Sequence, residues 1–456
     1  MDLFSPEDPR PVHFMGIGGA GMSALALIAR RRGVTVSGCD TDPGGAADVA
    51  ALGATVVAGH DPAHVAGARA VVVTAAIPNG HPELERARIL GIPVVPRKQA
   101  LAELVGVGRV VGVSGTHGKT TTTVMTTEAL TAAGLGPTGL AGGRVSAWGG
   151  NAKLASDALF VVEADEYDQA FLALHPEIAV VNNVEADHLE CYGTVAALEQ
   201  AFIEFAGRSA RAIVGTDDPG AARVAARLDV PVWRFGQGDA DLRIVTVDGG
   251  PQGSLARIRM PDGADLTLRL RVPGLHNVKN AIAALGVVAA LGGPIGPALE
   301  ALAAFDGVGR RFERLGEARG VTFVDDYAHH PSELAATLQA ARQAFPGRRL
   351  VAVFQPHLYS RTDRHGEAMG RELAAADLAI VTEVYAAREA PIPGVSGRRV
   401  AQAVTATGGR ALFEPALAGV VDQLNAIATS GDVVLTLGAG DVTRVGRELL
   451  AAWRAS

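Results

Sequence analysis

Residues 109–121, RVVGVSGTHGKTT, run from a β-branched stretch through a glycine loop into a lysine and two threonines. A strand that ends in such a loop and turns directly into a helix aims backbone amides, an ammonium group and a hydroxyl at one point. That arrangement suits a triphosphate and its magnesium. The loop is not a strict Walker sequence, because Val113 stands five residues before Gly118 where that motif has glycine. A strand feeding a helix in this way implies a parallel α/β sheet, and the flanking sequence carries the same alternation.

Downstream, LFVVEAD, EIAVVNN, RAIVGTDD and VWRFG read as further strands. Between about 242 and 272 the period drops to two, in LRIVTVDGG, SLARIRM and DLTLRLRV, which predicts antiparallel ribbons ahead of a helix at Asn277. Upstream, VHFMGIG, a helix over 20–31, VTVSGCD, a helix near 46–52, TVVAG, AVVVTAA and IPVV predict a separate doubly wound sheet. After GVGRRFERLGE a third set follows: VTFVDDYA, RLVAVFQP, LAIVTEVY, RALFE and DVVLTLGAG, separated by helical stretches. The expected fold class is α/β in three domains, spanning 1–107, 108–313 and 314–456.

Composition agrees. The 456 residues exceed one ordinary core, and 48% apolar with 20% charged residues excludes disorder. A formal charge of −7 offers nucleic acid or an anionic membrane no general attraction, so neither is an expected partner. The two cysteines, Cys39 and Cys191, lie in no C-x-x-C or Cys/His motif, so neither a disulfide framework nor a structural zinc site is expected. A reducing cytoplasm fits, and MDLFSPEDPR lacks the apolar core of a signal peptide. The uncharged run 281–299 is broken by Gly292, Gly293 and Pro294, which predicts a buried helix rather than a membrane span.

A second glycine loop, Gly16-Ile17-Gly18-Gly19-Ala20-Gly21, follows the first strand, with Asp40 closing the next one. On its own it admits NAD with Asp40 on a ribose hydroxyl, a UDP or other nucleotide, or merely a tight strand-to-helix turn. Two acidic segments, Glu163-Ala164-Asp165-Glu166 and Asn183-Val184-Glu185-Ala186-Asp187-His188, fall at strand ends, where carboxylates can hold a phosphate-bridging metal. His188 reads either as a second-metal ligand or substrate donor, or as a capping residue.

The ordered set GIGGAGM, GTHGKTTTT, EADEYD, NVEADH, GLHNVKNAIAA, GVGRRFERLGE, DDYAHHPSE, QPHLYSRT and TEVYAAREAPIPG resembles the Mur ligases over essentially the whole chain, and within them the alanine-adding branch. The resemblance implies a Rossmann-like N-terminal domain holding a UDP-sugar, a central P-loop ATPase-type domain, and a Rossmann-like C-terminal domain with the amino-acid site. It implies an ATP-dependent carboxylate–amine ligase of peptidoglycan precursor synthesis that uses two Mg²⁺ ions. Its substrates would be ATP, L-alanine and UDP-N-acetylmuramate, and a monomer or weak homodimer is expected.

Carried over by position, Gly16, Gly18, Gly19, Ala20, Gly21, Asp40 and Thr74 should hold the UDP-sugar. Gly115, Thr116, His117, Gly118, Lys119, Thr120 and Thr121 should hold the phosphates of ATP, with Lys119 on the β- and γ-phosphates. Thr120 and Glu163 would take one metal and His188 the second. Asn277 and Asn280 look like adenine contacts, while Arg310, Arg311 and Asp326 approach the nucleotide. His329, His357 and Arg361 would face the reacting carboxyl and L-alanine, with Lys119, His188, His329 and Arg361 catalytic. Arg361 follows the strand RLVAVF and should project from its carboxyl end; the alternative is a surface arginine starting the next helix.

Two departures stand out. Phe202-Ile203-Glu204 replaces the carbamylated lysine of several other Mur ligases, in agreement with the alanine-adding branch. Leu358 stands where a second basic residue is common, so that contact is not carried over. A nicotinamide dehydrogenase would leave the GTHGKT loop without a task, and a nucleotide-switched binding protein would show no dependence on an amino acid.

Overall fold

A computed structural model of the chain describes residues 2–74, 76–387 and 389–455. The first sheet contains β1 (Val12–Met15), β2 (Val36–Asp40), β3 (Thr55–Ala58), β4 (Ala70–Val73) and β5 (Val94–Pro96). These strands are parallel, in the order β3-β2-β1-β4-β5. Strand order reverses beside β1, and the loop at that strand's carboxyl end is the one rich in glycine. This is the crevice where doubly wound sheets bind ligands.

The second sheet takes β6 (Arg109–Ser114), β7 (Pro137–Val145), β8 (Gly150–Lys153), β9 (Ser156–Glu163), β10 (Ile178–Val181), β11 (Arg211–Gly215), β12 (Val232–Gly236), β13 (Leu242–Gly250), β14 (Gly253–Arg259) and β15 (Asp265–Leu270). Its order, β15-β14-β13-β12-β11-β10-β6-β9-β7-β8, puts β6 between β9 and β10, parallel to both. The carboxyl ends of these three strands therefore lie side by side. Phe202, Phe205 and Phe171 pack behind them with ring centroids 4.9–5.1 Å apart. Phe202 is fully buried and serves the core.

The third sheet holds β16 (Glu313–Ala318), β17 (Val321–Asp326), β18 (Leu350–Phe354), β19 (Leu378–Val381), β20 (Ala411–Phe413) and β21 (Val433–Leu437). Its order is β16-β17-β21-β18-β19-β20, parallel except for the antiparallel pair β16–β17. The three-domain α/β expectation thus holds, with β7, β8 and β16 added to the strands read from sequence.

By backbone proximity the chain forms two compact units. One is Met1–Thr246, Arg257–Leu268 and Lys279–Ala303; the other is Val247–Ala256, Arg269–Val278 and Ala304–Ser456. The apolar run near 281–299 becomes the helices Leu275–Ala290 and Ile295–Ala303, parted by a turn in which Gly292 takes a positive φ. Among the described residues no helix is long and apolar enough to cross a membrane.

Candidate active site

In the first unit the phosphate loop is braced from the end of β10. Asn183 accepts the His117 N–H on Oδ1 at 2.7 Å, and its carbonyl accepts the Thr116 N–H at 3.1 Å. Asn182 donates from Nδ2 to Thr122 Oγ1 at 3.0 Å, and the Glu185 N–H donates to Thr116 Oγ1 at 2.9 Å. The sequence reading took the acidic residues of this segment as functional and passed over the two asparagines. Their signal was their place at the end of a strand adjoining the loop's own.

Gly118 takes φ +79, and a Cβ there would lie 2.7 Å from Asn280 Oδ1, so Asn280 abuts the loop and leaves room only for glycine. The helix Lys119–Ala132, with no side-chain cap at Gly118, then points its positive end at the loop.

Lys119 Nζ lies 2.7 Å from Glu166 Oε2 and donates to the Gly115 carbonyl at 2.8 Å. Burial opposes its charge, but the carboxylates of Glu166, Asp165 and Glu163 outweigh that and raise its pKa, so it is a fixed cation. Burial pushes Glu163 and Glu166 above the ordinary carboxylate range, with Lys119 opposing in both. Glu163 accepts from Thr120 Oγ1 at 3.0 Å and from the Gly142 N–H at 2.5 Å. A half-buried carboxylate beside a threonine hydroxyl is a hard-oxygen pair that fits Mg²⁺, whose charge would relieve the desolvation cost of Glu163.

His188 has φ +51 and precedes the short helix Leu189–Tyr192. Its Nδ1 lies 3.3 Å from Glu190 Oε1, and its ring meets Tyr167 edge-on at 5.1 Å. It also neighbours Glu166, whose raised pKa its charge opposes. It thus sits beside the lysine–carboxylate group rather than on the Thr120–Glu163 pair.

The N-terminal glycine loop belongs to the same unit. Asp40 Oδ2 accepts the Gly18 N–H and Oδ1 the Asp42 N–H, both at 2.9 Å. With each oxygen turned onto the backbone, Asp40 braces the loop rather than standing free for a ribose hydroxyl, which weakens the nicotinamide reading. A Cβ on Gly18 would come within 2.3 Å of the Asp42 carbonyl, and Thr74 Cγ2 lies 3.5 Å from where Gly16 would carry one. The Arg97 guanidinium lies against Gly21, where a Cβ would meet its Nη1 at 2.7 Å. A cation over the first turn of the helix Ala20–Arg31 suits a pyrophosphate, and nothing in the local sequence had marked Arg97.

The second unit brings together the three residues expected at the amino-acid site. His329 and His357 have ring centroids 6.1 Å apart, and Arg361 Nη1 lies 3.2 Å from His357 Nδ1. His329 Nδ1 lies 2.8 Å from the Tyr327 carbonyl and 3.3 Å from Glu333 Oε2. Arg361 sits in the first turn of the helix Tyr359–Leu373 rather than projecting from the strand end, yet it is buried at 6% exposure and so is no surface arginine. Leu358, just before it, has φ +69, a conformation that L side chains rarely adopt and that sets the turn between His357 and Arg361. Asn277 donates from Nδ2 to the Pro273 carbonyl at 2.8 Å.

Arg310 and Arg311 stack on Tyr327, each 4.9 Å from the ring centroid. Asp326 accepts the Phe312 N–H at 2.6 Å and the Ala328 N–H at 2.8 Å. Burial raises its pKa to about 6, against the opposing effects of Arg311 and these two amides. Because the folded value lies above the unfolded one, its contribution is complete below about pH 4 and is lost as pH rises through 6. The loss is on the order of 3 kcal/mol. Urea midpoints of wild type and Asp326→Asn should therefore diverge between pH 4 and 7, with wild type falling more steeply; parallel profiles would contradict the assignment.

Comparison with known proteins narrows this chemistry. Three family models match in chain order: the Mur ligase family catalytic domain over 11–108, the Mur ligase middle domain over 113–288, and the Mur ligase glutamate ligase domain over 310–440. The chain belongs to the Mur ligase family. Within it, the chain is 44% identical over 454 residues to a UDP-N-acetylmuramate--L-alanine ligase of Methylibium petroleiphilum, covering 95% of this chain and 96% of that protein. The crystal structure of a UDP-N-acetylmuramate-alanine ligase from Thermotoga maritima superposes with a TM-score of 0.85 at 28% identity, covering 98% and 99% of the two chains. A murein peptide ligase from Psychrobacter arcticus superposes with a TM-score of 0.72 at 26% identity, covering 97% and 98%.

Proposed function

We propose that the chain joins L-alanine to the lactyl carboxylate of UDP-N-acetylmuramate, giving UDP-N-acetylmuramoyl-L-alanine, ADP and phosphate in peptidoglycan precursor synthesis. The observation that carries this reading is near full-length similarity to ligases of that name, in a chain whose phosphate loop holds a charged lysine paired with the buried Glu166 carboxylate. Domain boundaries near 107 and 313 go with it.

A carboxylate is a poor electrophile, so its oxygen first attacks the γ-phosphorus of ATP, releasing ADP and forming an acyl phosphate. Phosphoryl transfer needs alignment and charge neutralisation more than a protein nucleophile, and Lys119 with the loop amides supplies both. Thr120 and Glu163 would hold one Mg²⁺ and His188 a second, and the ions would neutralise the β- and γ-phosphates. The amine of L-alanine, once deprotonated, attacks the acyl carbon, and the tetrahedral adduct expels phosphate. Arg361 grips the alanine carboxylate, and His329, its Nδ1 set by Tyr327 and Glu333, takes the amine's proton. Water must be excluded meanwhile, since it would hydrolyse the acyl phosphate.

Phosphate release from ATP should require UDP-N-acetylmuramate and L-alanine together. Omission of either should lower the steady rate by at least ~100-fold, because without the sugar nucleotide no carboxylate accepts the phosphoryl group and without alanine the reaction stalls at the acyl phosphate. Steady release that ignores the amino acid would favour a nucleotide-switched binding protein.

A further inference from the structure

Beneath the N-terminal glycine loop lies a group of side chains for which the ligase reaction has no use. Cys39 Sγ, buried at the end of β2, lies 3.4 Å from His13 Nε2, 3.3 Å from His60 Nδ1, and 3.3 and 3.4 Å from the two oxygens of Glu83. His60 Nδ1 is itself 3.0 Å from Glu83 Oε2. His13, Cys39 and Glu83 are all buried, and their ligating atoms fall within 4.8 Å of one another. No Cys/His spacing in the sequence announces the group. Its members come from β1, β2, the turn after β3, and the first turn of the helix Pro82–Ile89.

We propose that these four residues form a site for a borderline transition metal, Zn²⁺, with Cys39 Sγ, His13 Nε2, His60 Nδ1 and Glu83 Oε2 as ligands. One sulfur, two imidazoles and a carboxylate are a zinc donor set. Tetrahedral bonds of about 2.3 Å to sulfur and about 2.1 Å to nitrogen or oxygen separate S from N by roughly 3.6 Å and N from O by roughly 3.4 Å. The Cys39–His13, Cys39–His60, Cys39–Glu83 and His60–Glu83 separations are each within about half an ångström of these.

The surroundings are those that orient metal ligands. Ser37 Oγ lies 3.0 Å from His13 Nδ1, fixing which nitrogen faces the sulfur. Glu83 Oε1 accepts the Asp61 N–H at 3.0 Å and lies 2.9 Å from His64 Nδ1, which leaves Oε2 turned toward His60. A metal here would tie down the foot of the glycine loop, because the Cys39 carbonyl accepts the Gly16 and Ile17 N–H groups at 2.8 and 3.1 Å. The site is independent of the proposed ligation and would stand if that reading failed.

The full chain, stripped with a chelator, is titrated with Co²⁺ and then Zn²⁺ in the presence of excess Mg²⁺. One equivalent of Co²⁺ should bind with tetrahedral visible bands and a thiolate-to-cobalt charge-transfer band, and Zn²⁺ should displace it. Cys191→Ser should behave as wild type, whereas Cys39→Ser should lose the charge-transfer band and bind at least tenfold more weakly. If Cys39→Ser does not fold, zinc-edge X-ray absorption of Cys191→Ser decides, because a sulfur scatterer at the thiolate distance of about 2.3 Å can then come only from Cys39. Failure to retain one equivalent, a weak octahedral cobalt spectrum, or a first shell without sulfur would each overturn the site and leave a hydrogen-bonded network around Glu83.

Discussion

Lys119→Ala should lower the turnover of ATP-dependent ligation by ~10³-fold or more while leaving affinity for UDP-N-acetylmuramate within about twofold of wild type. The ammonium group is the lysine of the phosphate loop; it pairs with the Glu166 carboxylate and donates to the Gly115 carbonyl, and the nearby charges of Asp165 and Glu163 favour its charged form. Its removal withdraws the charge that the transferring phosphoryl group needs. The UDP-sugar is expected at the other glycine loop, after β1, so its binding is unaffected.

Loss of the lysine also strands Glu166, which is 2% exposed, and breaking a buried pair in this way costs about 3–5 kcal/mol. Lys119→Ala/Glu166→Gln should therefore recover much of the thermal stability and none of the activity. Stopped assays and calorimetry with the sugar nucleotide check both halves. Joint loss of sugar-nucleotide binding and ligation in a folded variant would count against separate nucleotide sites.

Arg361→Ala should raise the apparent KM for L-alanine by ~100-fold, the loss expected when a charge-assisted guanidinium–carboxylate contact worth about 3 kcal/mol disappears. Formation of the acyl phosphate should be spared, because that half-reaction precedes attack by the amine. Borohydride trapping in the absence of alanine should give the reduced product in wild-type yield. His357 lies 3.2 Å from the guanidinium and would lose a neighbour, so Arg361→Lys is the useful companion. It keeps the charge but not the planar fork, and should fall between wild type and alanine. Loss of trapped product with KM for alanine unchanged would move Arg361 to the phosphate side of the reaction.

The strands that position the site were legible because they are apolar and run into glycine, acid or amide residues: β6 before GTHGKT, β9 ending at Glu163, β10 before Asn182. β7, PTGLAGGRV, escaped because three glycines hide its period, and β16, ERLGEA, because it is mostly polar. Lys119, Thr120 and Glu163 could be named because they end strands or open a helix. Asn182, Asn183 and Arg97 act on loops distant in sequence, and only the sheet order brings them there. The Cys39 group carries no sequence motif for the same reason: its members span 71 positions in chain order, from His13 to Glu83. Arg361 falls beside His357 but in the first turn of a helix rather than at the strand end, after the turn that the unusual φ of Leu358 sets.

The central claim is that a carboxylate is activated by phosphorylation before the amine attacks. UDP-N-acetylmuramate labelled with ¹⁸O in both oxygens of its lactyl carboxylate tests it most directly. Turnover with ATP and L-alanine should place one ¹⁸O in each released phosphate, because the acyl phosphate breaks between the acyl carbon and the bridging oxygen. The other ¹⁸O should remain in the amide product. Unlabelled phosphate, with both labels still on a carboxylate or lost to water, would contradict the account.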